Sequence, residues 1–150
     1  MNNGKIISIL DGHDLLRLAT ITENGLPKVR SVDFARDMED ISKLYFLTFK
    51  TTNKVKDLTN NSNVHIAVDK AAHSMEELAN VLYLKSTGKV ELLTEQEQIG
   101  RAMGHIITKY PYLKDLPGDP SMMNVYKIQL GEVMVTDNSL GFGHTVSINF

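Results

Sequence analysis

Between two apolar runs, Leu15 to Thr22 and Lys28 to Ala35, the chain carries Glu23-Asn24-Gly25-Leu26-Pro27. Asn-Gly in that setting is the strongest short-range signal for a β-hairpin, because both residues tolerate the positive φ of a tight turn. Pro27 then falls at or near the start of the returning strand, where a missing N–H is tolerated. A hairpin this early commits the chain to antiparallel pairing. Leu44–Phe49, Val64–Val68, Val81–Leu93 and Val125–Asp137 read as further strands. Gly88, inside the Val81–Leu93 strand, predicts a bulge or a close backbone approach.

Helices occupy the intervals. Lys5 to Leu10 is apolar enough for a short one. Thr94-Glu95-Gln96-Glu97 has the form of a capping box, with Thr94 at the cap. The stripe Ile99, Ala102, Met103, Ile106 and Ile107 follows at helical spacing, and Pro111 stops it. Arg36 to Ser42 reads as a polar surface loop, Asp69 to Asn80 as irregular, and Tyr112 to Pro120 as a turn-rich connection. The expected fold is mainly β: an antiparallel sheet or small barrel of about six strands, its ends covered by helices. A chain of 150 residues suits one domain over its whole length.

Composition narrows the function. A net charge of −2 gives no general affinity for nucleic acid or anionic membranes. The absence of cysteine excludes disulfides, thiolate metal sites and a cysteine nucleophile. Met1-Asn2-Asn3-Gly4-Lys5 lacks a signal-peptide core, and no apolar run is long enough to span a bilayer, so a cytoplasmic protein is expected. There is no dinucleotide fingerprint, Walker loop, zinc-spaced histidine pair or nucleophile elbow. Glu76-Glu77 and Glu95-Glu97 read as solvated pairs, and no metal site is expected.

Two places invite a ligand. Leu44–Phe49 runs straight into Lys50-Thr51-Thr52-Asn53-Lys54, followed by Val55 and Leu58 at core-facing spacing. A helix start leaves backbone N–H groups without partners and carries partial positive charge. With the hydroxyls of Thr51 and Thr52, the Asn53 amide and the Lys54 ammonium, this one would suit a phosphate monoester; an ordinary capped surface helix is the alternative. The second place is Arg30. In a strand it shares a face with Val32 and Phe34, while Val29, Ser31 and Asp33 share the other. It either snorkels at the sheet edge or bonds to something electron-rich.

These segments together resemble the pyridoxamine 5'-phosphate oxidase-like family of FMN-binding split barrels, in particular its short general-stress or nitroimidazole-resistance-like members. The resemblance rests on Ala19-Thr20 followed by Gly25-Leu26-Pro27-Lys28-Val29-Arg30-Ser31-Val32, on Tyr45-Phe46-Leu47-Thr48 followed by Thr52-Asn53-Lys54-Val55, and on Gly88-Lys89-Val90-Glu91 before a helix. It implies an antiparallel split barrel, FMN as cofactor, and a homodimer with the flavin at the subunit interface. It implies Arg30 beside the isoalloxazine and ribityl chain, and Ser31, Val32 and Asp33 lining the ring. Leu47 and Thr48 would lie under the ribityl region, with Thr52, Asn53 and Lys54 on the phosphate. Asn53 stands where the family has an arginine, and Tyr83 about where the oxidases often have a flavin-contacting glutamine. The arginine-rich end with which those oxidases hold their substrate is missing, so the resemblance does not extend to their activity.

The implied function is an FMN-dependent oxidoreductase acting on a small molecule. A flavin-binding stress or redox-sensing protein without turnover, or a split barrel binding a deazaflavin or heme, would use the same fold. No residue stands out as a general acid or base. His65 and His105 read as structural, and Phe142 and His144 in the Gly141-Phe142-Gly143-His144 tail are candidates for closing over a flavin ring.

Overall fold

The computed structural model describes residues 3–150; Met1 and Asn2, part of the N-terminal stretch read above, lie outside it. The elements run α1 (Asn3–Asp11), β1 (Leu15–Ile21), β2 (Pro27–Asp33), β3 (Ala35–Arg36), β4 (Lys43–Phe49), α2 (Asn53–Asn60), β5 (Asn63–Val68), α3 (Met75–Ala79), β6 (Leu82–Leu92), α4 (Gln96–Lys109), β7 (Met123–Asp137) and β8 (Thr145–Asn149). All strands join one antiparallel sheet in the order β2-β1-β5-β6-β7-β4-β3, with β8 added to β7. The sheet curls into a split barrel, and β2 and β4 approach each other without pairing. The six strands expected from the sequence carry it. β3 and β8 are short additions.

The hairpin forms as anticipated, with Leu16 opposite Val32 and Ile21 opposite Pro27, and Gly25 takes the positive φ, 77°, that its turn demands. Alternation then sets the interior. Leu16 and Leu18 of β1, Phe46 of β4, Ile66 of β5, Leu84 of β6 and Ile128 of β7 all point into one core. Gly88 marks a register shift between β6 and β7, and a Cβ there would meet Ile128 Cγ2 at 2.8 Å. Both sequence expectations for Gly88, bulge and close approach, are realised at once.

Helices α1 and α2 lie at opposite ends of β4. α1 packs near β3, sending Ile6, Ile9 and Leu10 into the core, and burial of each side chain is worth about 1.5–3 kcal/mol. α2 follows the other end of β4 and packs on β1 through Leu58 and Val55. On the outer face of β4, the stripe on α4 builds a second core, where Ala102 and Ile106 meet Ala35, Tyr45, Leu93 and Val125. Lys109, at the end of α4, donates to the carbonyls of Leu10 and His13 and lies 3.7 Å over the Phe34 ring. Burial pulls its pKa down to about 8, partly opposed by Asp14 and Asp11.

Three local expectations are corrected. Arg36 to Ser42 is more than a surface loop, because Asp37 within it is 1% exposed. Its carboxylate accepts from Tyr45 Oη at 2.7 Å, from Arg101 Nε and Nη2 at 2.9 Å each, and from the N–H groups of Glu39 and Asp40. The capping box does not form: Glu95 is the N-cap of α4 and no side chain caps that end. Asp69 to Asn80 contains α3, a single turn capped by Ser74 accepting from the Glu77 N–H. The tail folds back as β8, with Thr145 opposite Thr136 and Val146 opposite Val135. No described helix is long and apolar enough to cross a membrane.

Candidate functional site

Where β4 ends and α2 begins, the alternation of the strand and the start of the helix bring polar groups to one end of the barrel. Thr48 is an inward position like Leu44 and Phe46, but it lies at the strand's end, where a hydroxyl can serve. Lys54 Nζ donates to Thr48 Oγ1 at 2.8 Å, and Thr48 Oγ1 lies 3.2 Å from Thr52 Oγ1. Thr52 is the N-cap of α2, yet its hydroxyl turns back to the Phe49 carbonyl and no side chain caps the helix. The Val55 N–H donates to the Thr52 carbonyl at 3.2 Å, which leaves the N–H groups of Asn53 and Lys54 in the first turn for an acceptor.

Arg30 reaches the same end from β2. Its Nη1 donates to Thr20 Oγ1 at 2.7 Å and to the Leu18 carbonyl at 3.2 Å, and its Nη2 lies 3.5 Å from Asp57 Oδ2. Its side chain is 20% exposed, and its bonds go to groups of this chain, the buried Asp57 carboxylate among them. Thr20 Oγ1 also donates to Asp57 Oδ2 at 3.3 Å. Electrostatically the place is short of negative charge. Burial lowers the Lys54 pKa, and the neighbouring Arg30 charge lowers it further. Burial lowers the Arg30 pKa too, against the pull of Asp57. An anion set between the two cations would relieve both.

The other nominated residues are placed less tightly. Thr51 and Asn53 stand exposed at the helix start, beside the socket. Val32 is buried in the core, whereas Ser31 and Asp33 project from the outer face of β2. Leu47 faces away from Thr48 into an apolar groove of about 710 Å³, lined also by Leu93, Ile99, Met103, Leu113 and Val125. Tyr83 lies in register with Thr136, while Thr48 is in register with Asn124, so most of β7 separates Tyr83 from the socket within one chain. Phe142 and His144 sit on the exposed turn before β8, at that same far end. His65 is exposed in β5, and His105 stacks on Tyr45 at 5.8 Å, near Asp37. Among the described residues no group of three or more His, Asp or Glu is placed to hold a metal ion.

Sequence reasoning missed Asp57 and Thr20. Asp57 follows Lys54 by three residues, a spacing that places both on one helix face. That spacing was the available signal.

A curled antiparallel sheet with a cationic, hydroxyl-lined socket at one end defines a split barrel equipped for an anionic ligand. A family model of pyridoxamine 5'-phosphate oxidase matches residues 4–135, and the chain belongs to that family. No curated protein matches the sequence. Among solved structures, a heme-binding protein from Mycobacterium smegmatis is similar with a TM-score of 0.78 and 17% identity, over 97% of this chain and 56% of that one. This chain therefore spans little more than half of that protein. A candidate 5-nitroimidazole antibiotic resistance protein from Bacteroides thetaiotaomicron gives 0.68 and 20%, over 89% of this chain and 82% of that one. An FAD-binding protein from Mesorhizobium loti gives 0.69 and 18%, over 90% and 94%. At such identities the likeness establishes the fold, and a fold alone does not choose its ligand.

Proposed function

We propose that the chain is an FMN-binding flavoprotein that works as an oxidoreductase on a small molecule. The observation that carries this reading is the socket: Lys54, Arg30, Thr48 and Thr52 converge on an uncapped helix start. The donor set fits a phosphate monoester. Lys54 supplies a point charge, the two threonines supply hydroxyls, and the first-turn N–H groups supply oriented dipoles. Arg30 adds a second positive charge, held in place by Thr20 and the Leu18 carbonyl. Asn53 carries no charge, so the grip is weaker than one with an arginine at that position, by roughly 1–3 kcal/mol. When bound, the flavin supplies the hydride or electron transfer. The socket residues bind and orient, and none of them is placed as a general acid or base.

We also propose a homodimer. β2 is an edge strand, and Leu15, Leu26 and Val29 stand exposed on and beside its outer face. A second copy would cover them. The FAD-binding neighbour supports a flavin, and the mycobacterial neighbour supports a second reading in which the barrel holds heme.

A visible absorption spectrum of the purified protein, before and after adding FMN, separates these readings. A protein-bound flavin spectrum near one FMN per chain is expected. A Soret band after hemin addition, with FMN ignored, would replace flavin by heme.

A further inference from the structure

Thr20 of β1 and Asp57 of α2 are buried polar residues, 1% and 6% exposed. A buried hydroxyl and carboxylate cost free energy unless they are bonded, and apolar side chains would fill the same space without that cost. Both are bonded to Arg30 and to each other. Arg30 Nη1 donates to Thr20 Oγ1 at 2.7 Å, Thr20 Oγ1 donates to Asp57 Oδ2 at 3.3 Å, and Arg30 Nη2 closes the ring on Asp57 Oδ2 at 3.5 Å. The second Nη1 proton goes to the Leu18 carbonyl at 3.2 Å. Nε–H and one Nη2 proton are left without an acceptor among the described residues. Nε is open to solvent, since His13 Nε2 is the one sealed side-chain atom without a partner among those residues.

We propose that Thr20 and Asp57 are positioning residues: they hold the Arg30 guanidinium so that its unused donors, Nε–H and one Nη2–H, meet a pair of acceptor atoms on the bound flavin nucleotide. This rests on the reading that the site takes FMN. A guanidinium carries its donors in a rigid plane, so fixing one side of it aims the other. A free arginine loses rotamer freedom when it grips a ligand. Here the ring removes that freedom before binding, and the affinity gains by preorganisation. Asp57 lies three residues beyond Lys54 on α2, so the ring also ties β2 to the helix whose first turn carries the socket. Thr20 and Asp57 act through Arg30 and need no contact with the ligand. Two acceptor pairs on FMN have the chemistry that the donors require, the phosphate oxygens and the carbonyl edge of the ring.

The test is titration with FMN and with riboflavin, read by flavin fluorescence, of wild type, Thr20→Val, Thr20→Ser, Asp57→Ala and Arg30→Gln. Thr20→Val and Asp57→Ala are also made in the Arg30→Gln background. Each is expected to weaken FMN roughly tenfold on its own, and Thr20→Ser, which keeps the hydroxyl, to restore wild-type affinity. In the Arg30→Gln background the same two changes are expected to weaken FMN no further, because they act through the guanidinium. A merely structural role would give losses that add. A loss confined to FMN places the Arg30 donors on the phosphate, and a loss shared with riboflavin places them on the ring. Additive losses overturn the proposal alone, as does an Arg30→Gln variant with wild-type affinity. Where Asp57→Ala does not fold, Thr20→Val against Thr20→Ser carries the test, and equal affinities in that pair overturn the proposal. No FMN binding by wild type overturns the flavin reading as well.

Discussion

Lys54 is the residue on which the proposed phosphate socket depends most. Its ammonium sits 2.8 Å from Thr48 Oγ1, at the N-terminal turn of α2, with burial and Arg30 both pressing its pKa down. Lys54→Ala should weaken FMN by about 1–3 kcal/mol, read as a roughly 5-fold to 150-fold rise in Kd by flavin fluorescence. An unchanged Kd would remove Lys54 from the site. Asp37 tests a different claim. Burial pushes its carboxyl pKa up, but bonds from Arg101, Tyr45 and the Glu39 and Asp40 amides outweigh burial and hold it well below 3.8. As pH falls beneath 3.8 the unfolded chain takes a proton that the folded one refuses, so stability present at neutral pH drains away. Asp37→Asn should cost about 1–3 kcal/mol at pH 7 in urea melts and should flatten that acid limb. A variant with the wild-type acid limb would deny the carboxylate this role. At this scale the sequence was legible where chemistry followed spacing, as at Thr52 and Lys54. Asp37 was not, because a loop of Asp, Glu and Met looks solvated until Arg101, 64 positions on, folds over it.

Among the elements, the strands were readable because each carries an alternating face, and the hairpin because Asn24-Gly25 leaves the backbone little choice. Helix α4 was readable from its stripe, but its start was not. Thr94 has the right partner at Glu97, yet the chain enters from β6 in a direction that makes Glu95 the cap. α3 is one turn long and polar, below what periodicity can detect. The bulge in β6 invites its own test. A Cβ at residue 88 would press on Ile128 Cγ2 at 2.8 Å and on the Gln129 carbonyl at 3.3 Å. The backbone on both sides is locked in the sheet. Gly88→Ala should therefore destabilise by about 1–3 kcal/mol, measured as a lower urea midpoint at constant slope. Wild-type stability in that variant would show that the two strands can part without cost.

For the whole molecule, the barrel places the socket at one end of β7 and Tyr83, Phe142 and His144 at the other. One chain cannot bring these groups to a common ligand, so any joint role requires a second copy. Sedimentation of the purified chain should give a dimer, and deletion of residues 138–150 should alter flavin affinity if the far end serves the partner's socket. A monomer that binds FMN with full affinity would confine the site to one barrel. The sequence could nominate both ends but not their separation, which depends on the register of β7 with β4 and β6. The central claim, that this end of the barrel grips a phosphate, is tested most directly by titrating the wild-type protein with FMN and with riboflavin side by side. FMN is predicted to bind at least tenfold tighter, near one per chain, since two cations and two hydroxyls find a partner only on the phosphorylated ligand. Equal affinity for the two flavins, or binding of neither, would contradict it.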